Sequence, residues 1–164
     1  MELLIVVAII GVLSAIAAPS LLRARMSGNE ASALGSLRAV NNAETVYSVS
    51  AAKGSYSPSL ATLATPCPGS TLGFISPDMS TDPSIKSGYT IAVAGAAASA
   101  AGQLDCSGTA TRTAYYATAV PQTGGLSGQR AFATTLSGTI FFNPTGLAPT
   151  EVEMTPGGGG TTLQ

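Results

Sequence analysis

The sequence predicts an α+β protein in which a long N-terminal helix packs on a roughly four-stranded antiparallel sheet. Three observations carry this expectation. The stretch from Leu3 to Leu22 holds no charged residue. Apolar residues then continue at helical spacing to about residue 52. Beyond that point the chain turns to short β-rich runs separated by Gly, Pro and Ser.

The first 25 residues form the hydrophobic segment, with Arg23 and Arg25 at its end. A helix of some 20 apolar residues spans about 30 Å, the hydrocarbon thickness of a bilayer. A buried core helix of that length would show a polar face, which this segment lacks. A secretory signal peptide would carry a basic flank where Glu2 stands. Glu2 itself is either an interfacial flank or a carboxylate that waits for a cation from another copy. Carried to the bilayer centre it would cost about 3 kcal/mol.

Residues 26–164 are expected to form a globular head, beginning with an amphipathic half-helix over 26–52. Leu34, Leu37, Val40 and Tyr47, with Ala33, Ala43 and Ala51, recur three and four apart and make one apolar stripe. Arg38, Asn41, Asn42 and Ser48 occupy much of the remainder. One helix from Glu2 to Ala52 would be about 77 Å long. Few heads of this size could bury both halves, so the first half must find lipid or other copies of itself. Gly11 and Pro19 weaken it: Pro19 removes a backbone bond at a cost of about 3 kcal/mol, and Gly11 adds about 1 kcal/mol.

Lys53 and Gly54 mark the helix end. The loop over 53–87 is expected to hold one short helix from Ser57 to Leu63, with Ser57 as N-cap and Pro58 in first position. The sheet is placed in 88–143, with strands at 88–93, 112–120, 129–136 and 139–143. The segments 102–108 and 121–128 read as turns. The Gly-rich tail, 144–164, is left either flexible or laid across the surface.

Composition excludes most chemistry. Only 9% of the 164 residues are charged, the net charge is −1, and there is no His and no Trp. Gly (19), Pro (10) and 38 Ser and Thr residues fill the gap. A nucleic-acid backbone needs a concentrated basic footprint, and none is present, so no nucleic-acid site is expected. Without His, both the commonest general base and the commonest metal ligand are missing. A Ser–Lys pair would have to use Lys53 or Lys86, both in loop sequence. Asp78, Asp82 and Asp105 read as solvated loop carboxylates and not as a Ca²⁺ set. No catalytic, cofactor or metal residues are assigned, and the chain is not expected to be an enzyme.

The run Glu2-Leu3-Leu4-Ile5-Val6-Val7-Ala8-Ile9-Ile10-Gly11-Val12-Leu13, followed by Ala17-Ala18-Pro19 and Leu21-Leu22-Arg23-Ala24-Arg25, resembles the N-terminal helix of type IV pilins. The stretch Gly128-Gln129-Arg130-Ala131-Phe132 is similar to a strand of pilin-like chains. The strong match covers about the first 25 residues. The resemblance implies a pilin-like fold and a structural subunit that polymerises through its apolar helix into an extracellular filament, with motility, adhesion and DNA uptake as filament-level roles. Its partners would be copies of itself, the inner membrane before assembly, the pilus assembly machinery and a prepilin peptidase. Glu2 would be the assembly residue, neutralised by a neighbour's methylated N-terminal amine. The helix would unwind between Gly11 and Pro19 on entering the filament. Mature pilins usually carry this Glu fifth, so Met1 would correspond to the fourth mature position, with a basic leader and a cleavage site upstream. A type II secretion pseudopilin and a monomeric membrane-anchored binding domain are the alternatives.

A basic leader would outweigh Arg23 and Arg25 and send the head outward, into an oxidising compartment. Cys67 and Cys106 lie in Pro/Gly/Ser surroundings without CxxC spacing. They are read as one structural disulfide, worth about 4 kcal/mol. The alternative is two free thiols.

Overall fold

The computed structural model describes residues 2–163; Met1, and with it the assignment of a mature position, lies outside them. Helix α1 runs without interruption from Glu2 to Ser50, about 73 Å at 1.5 Å per residue. Its first half touches nothing else in the chain. Leu3 is 78% exposed, and Ile16 and Leu21 are each 71% exposed. This half is long and apolar enough to cross a membrane.

The second half carries the core. Ala33, Leu37, Val40, Ala43, Tyr47 and Ala51 are buried, as their spacing predicts, while Leu34 is only partly so. Ser48, read as part of the polar face, is also buried. The helix ends where Lys53 and Gly54 take left-handed backbone, at φ 52° and 89°. Gly54 N–H donates to the Ser48 carbonyl at 2.8 Å, which satisfies one of the last orphan carbonyls.

The short helix α2 spans Leu60–Ala64, and its N-cap is Ser59, not Ser57. The Ser57 hydroxyl and N–H are both occupied by Glu44, so the cap moves two residues on. Leu60 and Leu63 fill the core below it.

The sheet has six strands where roughly four are expected. In chain order the strands are β1 (Ser84–Lys86), β2 (Tyr89–Gly95), β3 (Ala101–Leu104), β4 (Ala110–Arg112), β5 (Tyr115–Pro121), β6 (Ala131–Thr135), β7 (Ile140–Asn143) and β8 (Thr161–Thr162). The large sheet runs β1-β2-β5-β6-β7-β8, antiparallel throughout. Strands β3 and β4 form a separate hairpin around the 102–108 segment read as a turn, with β3 taking its first half. The additional strands hold two to four residues each, too few for an alternation to show in sequence.

Register fixes which side chains meet α1. Ile91 pairs with Ala119, Ala119 with Phe132, and Phe132 with Phe142. These residues share one face of the sheet and pack with Leu37 and Val40. The tail first crosses the opposite face, where the Tyr116 hydroxyl donates to the Pro149 carbonyl at 2.6 Å. It then joins the sheet edge as β8, and Leu163 N–H donates to the Ile140 carbonyl at 3.0 Å.

Candidate functional site

The residues singled out from sequence are strung along the molecule and do not converge on a cleft. Glu2 is exposed at the first turn of α1. Gly11 and Pro19 follow on the same bare rod, about 14 Å and 26 Å further along. A Cβ added at Gly11 would meet nothing within 4 Å, so intrachain packing does not require a glycine there. The helix passes through Pro19 unbroken. At the next residue the Ser20 hydroxyl donates to the Ala17 carbonyl at 2.9 Å, a local bond of the kind that accompanies weakened helix. What this half offers chemically is an uncharged apolar cylinder with one carboxylate near its tip. Any partner for it must come from outside the chain.

Cys67 and Cys106 are joined, with Cα atoms 5.5 Å apart. The bridge ties the loop after α2 to the turn of the β3–β4 hairpin. The same hairpin is held from beneath, since the Tyr47 hydroxyl donates to Asp105 Oδ2 at 2.8 Å. The other Asp105 oxygen accepts the N–H groups of Ser107 and Thr109. Asp82 accepts the Leu60 N–H at 2.7 Å, and Asp78 pairs with Lys86 at 2.6 Å. Each of the three loop aspartates therefore has a structural bond inside the head.

Two buried carboxylates escaped the sequence reading. Glu30 sits at the neck, where the bare half of α1 meets the head. Glu30 Oε1 accepts the N–H groups of Gln129 and Arg130 at 3.0 and 3.1 Å, and Oε2 accepts Arg130 Nε at 2.8 Å and Nη2 at 2.7 Å. Burial alone would raise the Glu30 pKa, but the Arg130 guanidinium and these backbone donors hold it below the usual carboxylate range. Arg130 also lies 5.7 Å from the Phe132 ring centroid and 5.5 Å from that of Phe142. The Gly-Gln-Arg-x-Phe stretch is thereby explained: Gly128 leaves no room for a Cβ against the Tyr89 ring, Arg130 clamps the helix, and Phe132 fills the core.

Glu44 lies deeper, fully buried, and its bonded partner is Ser57. Desolvation pushes its pKa up to about 7 against those two hydrogen bonds. A signal for both carboxylates existed. Positions 30, 33, 37, 40, 44, 47 and 51 keep one three-four spacing, so Glu30 and Glu44 belong to the apolar stripe by position if not by type.

Compared with known proteins, the chain matches no family model, no curated protein and no solved structure.

Proposed function

We propose that this chain is the structural subunit of a type IV pilus, assembling through its N-terminal helix into a helical, extracellular homopolymer. A long apolar helix joined to a disulfide-bonded sheet domain is a pilin-like arrangement. The observation that carries the reading is the bare half of α1. Its large apolar residues from Leu3 to Leu21 are more than half exposed, and no part of the head folds back to cover them. Exposed apolar area of this extent needs lipid before assembly and neighbouring helices afterwards.

In the filament the bare halves bundle at the centre and the heads tile the outside. Glu2 sets the axial register, because a carboxylate left unpaired in that apolar core is costly and a neighbour's N-terminal amine cancels it. A contact between unlike surfaces that does not close generates an open helix of subunits. The inner membrane, the prepilin peptidase and the pilus assembly machinery are the partners this route requires.

The test is to shear cells, collect the released filaments and sequence the N-terminus of the subunit. A subunit whose N-terminal peptide begins upstream of Met1 and carries an added methyl group, found in the sheared fraction, is the expected result. Glu2→Ala should abolish assembly while leaving the chain in the membrane. A chain recovered only from membranes, indifferent to Glu2→Ala, would establish a monomeric anchored domain instead.

A further inference from the structure

We infer that the end of the head nearest the bare helix is a lipid-facing surface, in which Arg23 and Arg25 with the turn around Leu126 seat on the anionic headgroup layer of a bilayer. This rests on the membrane-inserted stage of the function proposed above, and it adds a surface and a lipid class to it.

The apolar run ends at Leu22, and the next residue is Arg23. Arg23 and Arg25 are exposed, and neither forms an ion pair or a side-chain hydrogen bond among the described residues. Two positions apart on a helix, they point about 200° from one another and flank the rod on both sides. With Leu22 at the hydrocarbon edge they stand about 2–5 Å above it, at phosphate level.

The head closes over this zone. Asn29 Nδ2 donates to the Ser127 carbonyl at 2.7 Å, and the Ser32 and Ser87 hydroxyls are 2.9 Å apart. The first bond holds the turn at 123–128 level with Asn29, about 10 Å above Leu22 along the helix axis, and the second ties down the β1–β2 turn beside it. The headgroup layer of one leaflet is about 5–8 Å thick, and membrane helices tilt by about 20° on average. A tilt toward this turn brings its tip into the layer. At that tip Leu126 is 57% exposed, unburied by its own chain, between Gly125 and Ser127.

Charge complementarity selects the lipid. Glu30, the next carboxylate along α1, is neutralised by its ion pair to Arg130, and Asp78 is paired with Lys86. What remains is two arginines beside a Gly-rich turn that carries Leu126 at its tip. That combination suits phosphate-rich, negatively charged headgroups with a shallow apolar layer beneath.

The chain has no Trp, so one introduced residue is a sole reporter. The full-length chain would be reconstituted in phosphatidylcholine vesicles with and without phosphatidylglycerol, carrying Leu126→Trp, Val152→Trp or Ile9→Trp. Quenching by brominated phosphatidylglycerol is then compared with quenching by brominated phosphatidylcholine. Leu126→Trp should be quenched several-fold more than Val152→Trp, and more by the anionic lipid than by the zwitterionic one. Adding Arg23→Gln and Arg25→Gln should reduce that lipid preference by about 25-fold, given roughly fivefold for each cation near an anionic surface. Ile9→Trp reports insertion by itself and should be quenched in every composition. If Ile9→Trp is quenched while Leu126→Trp matches Val152→Trp, the surface is overturned and the membrane stage stands. Equal quenching of Leu126→Trp by the two lipids overturns the anionic assignment. An unquenched Ile9→Trp overturns the membrane stage and this surface together.

Discussion

Glu44 is held by one residue: Ser57 donates its backbone N–H to Oε2 at 2.9 Å and its hydroxyl to Oε1. No cation bonds to this carboxyl among the described residues, and the titratable groups that influence it or are influenced by it are hydroxyls, Tyr47 on α1 and Tyr115 on β5. The pair staples the last buried turn of α1 to the strand of chain that leads into α2. It also explains why that helix begins at Leu60.

The first prediction follows from the Glu44 pKa of about 7, against 4.5 for an ordinary carboxyl. The folded head keeps a proton that the unfolded chain releases, so this group's stabilising effect is full below pH 4.5 and falls as pH rises through 7. The loss is on the order of 3 kcal/mol, a fall in melting temperature of roughly 10 °C. Glu44→Gln offers an amide that donates to the Ser57 hydroxyl and a carbonyl that accepts its N–H. It should match the parent at pH 5 and melt higher at pH 8. Thermal unfolding across that range decides the matter, and parallel curves for the two proteins would refute it.

Glu30 has the opposite sign. Its pKa is held low, so its contribution is present above pH 4.5 and is lost as pH falls. Arg130→Ala leaves a nearly buried carboxylate with two backbone donors and removes the guanidinium from Phe132 and Phe142. A cost of about 2 kcal/mol is expected, less than for a fully buried pair because Arg130 is partly exposed. Arg130→Lys should recover only part of it, since an ammonium cannot present two parallel donors. Urea midpoints at neutral pH and at pH 4 measure both effects, and the gap between parent and Arg130→Ala should narrow at the lower pH.

How much could be read in advance depended on whether the information was local. The apolar rod, the stripe through Leu37, Val40 and Tyr47, and the three longer strands β2, β5 and β6 are each long enough to recognise. The β3–β4 hairpin is not, because Gly102 and Gly108 dominate a segment whose pairing depends on Tyr56 and Arg112 exchanging backbone bonds across the fold. The two-residue β8 exists because the tail returns to β7. Glu30 and Glu44 were passed over because their type argued for solvent while their spacing argued for the core. Glu2, Gly11 and Pro19 stand in a local sequence pattern, and the fold of one chain brings nothing to them.

Reduction of Cys67–Cys106 should destabilise the head by about 4 kcal/mol, from the loop entropy released over a sequence separation of 39. The effect should appear first in the region it ties. Tyr47 packs edge-on against Phe74 at 5.3 Å and bonds Asp105, so amide exchange should rise in 65–74 and 101–112 first. Strands β5 and β6, paired to each other and packed on α1, should stay protected. Exchange measured with and without reductant checks this, and uniform loss of protection would show a single cooperative unit instead.

Pro19 supplies the last prediction. With no N–H at Pro19, the Ala15 carbonyl has no helical partner, and Gly11 lies two turns earlier on a face that nothing in the chain supports. In lipid such a break survives only where neighbouring groups satisfy the freed carbonyl. Pro19→Ala restores the bond and removes the ring clash, worth up to about 3 kcal/mol in a helix interior. Amide exchange between Gly11 and Arg23 in micelles should therefore slow markedly in Pro19→Ala while the head is unchanged. If local unwinding at this break is how the subunit fits a filament, the variant should insert normally yet form fewer or stiffer filaments. Slowed exchange with normal, equally extensible filaments would separate the helix defect from assembly and leave Pro19 as a simple bend.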